Sequence, residues 1–385
     1  MGKRGLPSPS RKRLTDDFLK LASFDSESFH EKAIAEHMMG VLKELGLEIR
    51  TDRAREELLK QDPERTETAS NIYAYLPGNI EGDARVFCTH MDTVAPGVSK
   101  KIVEENGILR SKGDTICGAD DISGIVSILE AVRLIKEHDL KHPDIELLFA
   151  VAEEPYCLGS RFFDPSLLKA KTGYVLDLTG RVGRAAVAAP SVISFDIVVR
   201  GLAAHAGFAP EKGINALNVA ARAMLRIGTG RIRENQTVNF GTVSGGSGRN
   251  IVPEEIRISG EIRSNDHELA TKQAMEVEKV FKDEAENVGA TAETSVTEHV
   301  RAYRIDEEGP AVKRFLRAAM EVTGEKGECV ETYGGSDASR LNVLGIETAV
   351  LACAMENCHS TTEYADLAEL ERSAAITLAL MTDPE

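Results

Sequence analysis

Arg85-Val-Phe-Cys-Thr-His90-Met-Asp92 opens the stretch whose reading decides the fold. It continues through Gly118-Ala-Asp120-Asp121 and Ile145-Glu-Leu-Leu-Phe-Ala-Val-Ala-Glu153-Glu154 to Tyr174-Val-Leu-Asp177. The run Ile145–Ala152 is apolar at every position but Glu146, the pattern of a strand buried on both faces in a parallel sheet. Between these runs, Ile125, Ile128, Leu129, Val132 and Ile135 fall at helical spacing. That helix would begin just after Asp120-Asp121, so its free N–H groups and positive dipole end face an acidic pair. In open α/β sheets, ligands and catalytic groups gather beyond the carboxyl ends of the parallel strands. Chain ends that deliver His, Asp, Glu, Glu and Asp to such a place supply what a hydrolytic metal site requires.

The flanking sequence extends this frame in both directions. Upstream, helical patterns cover Leu14–Ala22 and Glu31–Leu45, and Asn71–Leu76 alternates as a strand closed by Pro77-Gly78. The basic segment 1–13 has no apolar stretch after it, which excludes a signal peptide and predicts a disordered tail. Downstream of Asp177 the character changes. Strand patterns at 192–199, 237–243, 256–262 and 292–300 enclose helical patterns at 215–227 and 267–288. The order β-α-β-β-α-β is that of a ferredoxin-like unit. The chain then returns to its first style, with a helix over Ala311–Val322, a buried strand over Ile346–Ala354 and a final helix from Leu367 to Met381. The expected organisation is α/β. A doubly wound, mostly parallel catalytic domain (1–189 and 298–385) is interrupted by an α+β lid (190–297).

Composition narrows the function classes. With 46 basic and 62 acidic residues the net charge is −16, which argues against nucleic-acid and anionic-membrane partners. No window reaches the roughly 18 apolar residues of a membrane span. The six cysteines (88, 117, 157, 329, 353 and 358) show no CxxC spacing, which fits reduced thiols in a cytoplasmic protein. A nucleophilic cysteine is disfavoured, because the dense carboxylates around Cys88, Cys117 and Cys358 would raise a thiol pKa.

Taken singly, each motif has an ordinary alternative. His90-x-Asp92 is a common surface pair, Asp120-Asp121 a common helix cap, Glu153-Glu154 a common helix start, and His359 more often structural than a ligand. Jointly they read differently. Carboxylates crowded into a cleft repel one another and are costly unless paired or metal-bound. A His/carboxylate set without cysteine suits Zn, Mn or Co.

Six motifs in order carry a family resemblance: Thr89-His-Met-Asp-Thr-Val94, Gly118-Ala-Asp-Asp121, Glu153-Glu154, Val175-Leu-Asp177, Gly201-Leu-Ala-Ala-His-Ala-Gly207 and His359-Ser-Thr-Thr-Glu-Tyr364. On them the chain resembles, over about residues 70 to 364, the peptidase T-like dizinc exopeptidases, relatives of glutamate carboxypeptidase and aminoacylase. The resemblance implies two divalent metal ions, zinc first and Mn or Co as the other candidates. Asp120 would bridge them, His90 and Asp177 would complete one site, and Glu154 and His359 the other. It implies Glu153 as general base, Asp92 as support for His90, and a cis peptide after Asp120. In the lid, His205 would hold an oxyanion across a homodimer interface. Asn250, Arg263 and Gly335 (in Gly334-Gly-Ser-Asp337) would contact a small peptide substrate, with Arg263 suited to its carboxylate. The implied activity is release of the N-terminal residue from a di- or tripeptide. The alternatives are a carboxypeptidase or N-acyl-amino-acid amidohydrolase and, more remotely, an inactive binding module. Two departures bear on substrate choice: Pro155-Tyr-Cys-Leu-Gly159 after the acidic pair, and a short segment between His90 and Asp120.

Overall fold

Four parallel strands form the centre of the larger sheet, and their order places His90 in its middle. The computed structural model describes residues 5–384. Ile145–Ala150, Arg85–His90, Thr172–Leu178 and Glu347–Ala352 lie side by side in that order, all parallel. Antiparallel strands flank them: Ile72–Leu76 and Glu48–Thr51 on one side, Arg184–Ala189 on the other. Every residue of Arg85–His90 and Ile145–Ala150 is buried, as the unbroken apolar runs require of strands covered on both faces. A smaller sheet pairs Met355–Glu356, Tyr364–Asp366, Ile108–Ser111 and Ile102–Glu105, and so fixes both ends of the loop that carries His359.

The chain divides into two compact units, Met1–Ala188 with Arg304–Thr332 and Ser336–Glu385, and Ala189–Tyr303 with Tyr333–Gly335. In the second unit the strands run Gly230–Arg233, Gln236–Gly245, Glu255–Ser264, Ser191–Arg200, Thr291–Val300. Without the short first strand this is the order of a ferredoxin-like sheet. Helices Ala216–Ile227 and His267–Glu286 supply the core with Val219, Ala223, Val277 and Phe281, which pack with Phe195, Ile197 and Ile258 of the strands. This unit runs to Tyr303 rather than ending at 297, because Thr291–Val300 stays paired with Ser191–Arg200 as far as Val300 opposite Val192.

The expected disordered tail needs correction. Residues 1–4 lie outside the described residues, but Arg11–Ala22 is a helix capped by the Ser10 side chain. Arg13 anchors it. Its guanidinium donates to both oxygens of Glu130, at 2.8 and 2.7 Å, and to Glu137 Oε1 at 2.6 Å. The Glu130 side chain is fully buried and the Arg13 side chain 32% exposed, so this pair closes off a carboxylate that solvent does not reach. Removing one partner of such a pair leaves a buried charge uncompensated. Arg13→Ala is expected to lower unfolding stability by about 2–3 kcal/mol in denaturant titrations. A loss below about 0.5 kcal/mol would mark residues 10–13 as a fraying end.

Candidate metal centre

The site lies where the parallel strands end. His90 is the last residue of the central strand, in register with Ala150, after which the chain runs through Val151 and Ala152 into Glu153-Glu154. Asp177 sits at the end of the next strand. The helix Ala119–Glu137 starts after Gly118, whose φ of 78° favours glycine. The helix lies hard against the Asp177 strand: a Cβ at Gly124 would stand 2.6 Å from Leu176 O and 2.5 Å from Asp121 Oδ1. The Asp120–Asp121 peptide is cis. His359, at φ 62°, stands at the tip of the hairpin between Met355–Glu356 and Tyr364–Asp366.

These ends converge. His90 Nε2 lies 3.0 Å from Asp120 Oδ1, and His359 Nε2 lies 3.3 Å from Asp120 Oδ2 and 3.0 Å from Glu154 Oε2. Two sets of potential ligand atoms result, His90–Asp120–Asp177 and Asp120–Glu154–His359, each with all atoms within 4.8 Å of one another. Asp120 is common to both. The structure thus gathers the five residues expected as ligands and divides them into two sets about one carboxylate.

The electrostatics are those of a cluster short of positive charge. Burial pushes the carboxyls of Asp177 and Glu153 well above the usual range, and neighbouring carboxylates add to the shift. Glu154 is raised by burial, with His359 opposing. Burial also works against charge on Asp120, but hydrogen bonds to His359 and His90 hold it below the usual range. His359 rises to about 10 through its bonds to Asp120 and Glu154. The groups acting most strongly here are the carboxylates themselves and two imidazoles; no lysine or arginine is among them. Glu154 Oε1 is buried with no hydrogen-bond partner, an oxygen that a cation would satisfy. The donor set, imidazole nitrogen and carboxylate oxygen, suits zinc, manganese or cobalt. The residues fit a pair of divalent ions. Burial also raises the thiols of Cys88, Cys117 and Cys358, as the acidic surroundings led us to expect of cysteines that are not nucleophiles.

A second tier of carboxylates holds the backbone beneath the first, and sequence reasoning missed most of it. Asp92 was expected to support His90, and it meets His90 Nδ1 both through its backbone carbonyl (2.9 Å) and, at 3.6 Å, through its carboxylate. That carboxylate accepts from the N–H of Glu153 (2.9 Å) and of Glu154 (3.2 Å), and from Ser28 Oγ. Glu31 accepts from Ala152 N at 3.0 Å, one residue earlier. Asp121 accepts from Thr89 Oγ1 and from Gly124 N. Glu363 accepts from Gly118 N (2.6 Å) and Asp120 N (3.0 Å), so it cradles the backbone of the shared aspartate. Glu363 lies in the His359-Ser-Thr-Thr-Glu motif, four residues after a proposed ligand, which was the one available signal.

His205, Asn250, Arg263 and Gly335 belong to the second unit. Gly207 N and Phe208 N donate to His205 Nδ1, both at 3.1 Å, so a neutral ring carries its proton on Nε2. Asn250 O accepts from Ala206 N, and Ile251 bridges to His205, which brings Asn250 and His205 together. Gly335 packs on Val300, where a Cβ would come within 3.2 Å. Arg263, expected to suit a substrate carboxylate, is occupied within its own unit. Its fork is taken by Glu261, two residues away on the same strand (Nε–Oε1 2.8 Å), and by Tyr333 O at 2.8 Å.

Comparison with known proteins agrees with this geometry. A peptidase dimerisation domain model matches residues 187–289, and a peptidase family M28 model matches residues 71–209. A tripeptidase from Staphylococcus aureus superposes with TM-score 0.92 at 30% identity, over 98% of this chain and 99% of that one. An aminopeptidase from Bacillus cereus gives 0.88 at 33% identity, over 97% and 98%. Peptidase T from Fusobacterium nucleatum is 27% identical over 80% of this chain and 84% of its own length. A strand-end His/carboxylate centre on this fold is that of a metal-dependent peptidase. The chain belongs to the M20 family of dizinc exopeptidases.

Glu363→Gln would turn an amide donor toward one of the two N–H groups it now accepts. Metal affinity, read by elemental analysis after dialysis against a graded chelator, is expected to fall about 10–100-fold. Unchanged metal retention would show that the cradle does not govern the site.

Proposed function

We propose that the protein is an aminopeptidase that releases the N-terminal residue from di- and tripeptides. The observation carrying this reading is Asp120, shared between two ligand sets with Glu153 buried beside them. His90 and Asp177 would hold one metal, Glu154 and His359 the other, and Asp120 would serve both. When bound, the two ions polarise the scissile carbonyl and make water more acidic. Glu153 takes the proton from the attacking water and delivers it to the leaving amine nitrogen, general base then general acid. Asp92 positions Glu153 and Glu154 by holding their N–H groups. His205, whose neutral ring carries its proton on Nε2, would hold the oxyanion across the homodimer interface, and Asn250 stands next to it on the same loop pair. The relatives described as a tripeptidase, an aminopeptidase and peptidase T support short peptides as substrates.

We further propose zinc as the metal, a homodimer formed through the dimerisation domain, and a cytoplasmic location in which the six free cysteines stay reduced. No helix of the described residues is long and apolar enough to cross a membrane.

Glu153→Ala is expected to keep both metals and lose kcat by about 10²–10⁴-fold. Activity retained with metal in place would remove Glu153 from the role of base. N-acetylation of a di- or tripeptide is expected to abolish cleavage; faster turnover of the acylated substrate would favour the amidohydrolase alternative.

A further inference from the structure

Next to the metal centre a third group of buried side chains has no place in the mechanism. Glu153, Cys157 and Asp337 each offer one ligand atom, and these atoms lie within 4.8 Å of one another. All three residues are more than nine-tenths buried, at 8, 5 and 1% exposure. The segment that departs from the family pattern brings the thiol there. After Pro155 the chain takes two successive left-handed residues, Tyr156 at φ 63° and Cys157 at φ 52°, a conformation side chains other than glycine rarely adopt. It curls until Cys157 N donates to Glu153 O and Cys157 Sγ donates to Glu153 Oε1 at 3.1 Å. Asp337 closes the group from the other side. Its Oδ1 is buried with no hydrogen-bond partner, an unsatisfied acceptor in a pocket lined by acids.

We propose that Glu153, Cys157 and Asp337 form a third cation site that takes zinc beyond the catalytic pair and shuts the enzyme off by withdrawing its base. The inference rests on the reading of Glu153 as base. The chemistry favours zinc: one thiolate and two carboxylates in a tetrahedral shell need ligand atoms roughly 3.4–3.6 Å apart, from Zn–S of about 2.3 Å and Zn–O of about 2.0–2.2 Å. The ligand atoms now lie within 4.8 Å of one another, and the proposal requires them to close to this spacing on binding. On binding, the Cys157 thiol gives its proton to solvent, a Zn–S bond forms, and the Sγ–H···Oε1 hydrogen bond is lost. Glu153, now a ligand, shares its negative charge with the cation and is a weaker base toward the attacking water. Thiolate selects zinc over manganese, so the effect is specific to the softer ion.

The test starts from protein loaded with two equivalents of zinc, to which zinc or manganese is added. Bound metal is measured by elemental analysis at fixed free ion, and peptide turnover is normalised to each variant's own two-zinc rate. The wild type is expected to take a third zinc per chain as its rate falls, and to keep its rate in excess manganese. Cobalt in the third site is expected to give a thiolate charge-transfer band. In Cys157→Ala and Asp337→Asn, third-zinc affinity and sensitivity to excess zinc should weaken at least about tenfold. Should either variant fail to fold, Cys157→Ser keeps the volume and the hydrogen bond but supplies no thiolate. A wild type that stops at two zinc ions, or a third ion held equally by the cysteine variants, overturns the proposal. Absence of turnover at two zinc ions would count against the proposed function instead, with stoichiometry and the cobalt band still deciding the third site.

Discussion

Negative charge gathered out of water is the constraint on which the rest of this structure depends. Asp120, Glu153, Glu154, Asp177 and Asp337 meet beyond the ends of parallel strands with two imidazoles as their principal positive partners. Burial first, and neighbouring carboxylates after it, push the Asp337 carboxyl up to about 7 and that of Asp177 well above its usual range. A protein does not hold such a group together without a reason, because each buried carboxylate is costly until something positive meets it. Divalent cations resolve the conflict, and the same charge density then becomes the source of metal affinity.

The outer carboxylates solve a different problem. Ligands at loop starts are only as well placed as the backbone that carries them. Asp92 and Glu31 accept backbone N–H groups where a strand gives way to loop, and Asp121 and Glu363 accept them at the start of the helix behind Asp120, and so fix the residues on which the inner side chains hang. One side chain often serves both tiers: Asp92 touches His90 through its main chain while its carboxylate clamps Glu153 and Glu154. In this arrangement hydrogen bonds supply the placement and the apolar sheet supplies the rigidity, which separates geometry from charge.

Much of this was legible in the sequence. Unbroken apolar runs ending in His90, Glu153 and Asp177 marked the parallel strands, and the change of pattern after Asp177 marked the inserted unit. What escaped notice had weak local signals. Arg184–Ala189 is a strand of mostly alanines whose partners lie far away in sequence, so neither alternation nor β-branching announced it. Arg11 and Arg13 read as part of a basic tail because their partners, Glu371 and Glu130, are over a hundred residues distant. Glu363 and Asp337 stood inside recognised motifs, yet their work is to meet N–H groups and a thiol that only the fold brings near. The Arg263–Glu261 pair was likewise not legible, since adjacent side chains of one strand face can meet or part without any mark in the sequence.

The central claim, that one shared aspartate holds two ions, is tested most directly by anomalous diffraction from crystals of metal-loaded protein at the metal's absorption edge. Two peaks about 3.5–4 Å apart on either side of Asp120 are expected, one beside His90 and Asp177 and the other beside Glu154 and His359. A single peak, or density remote from Asp120, would contradict the account.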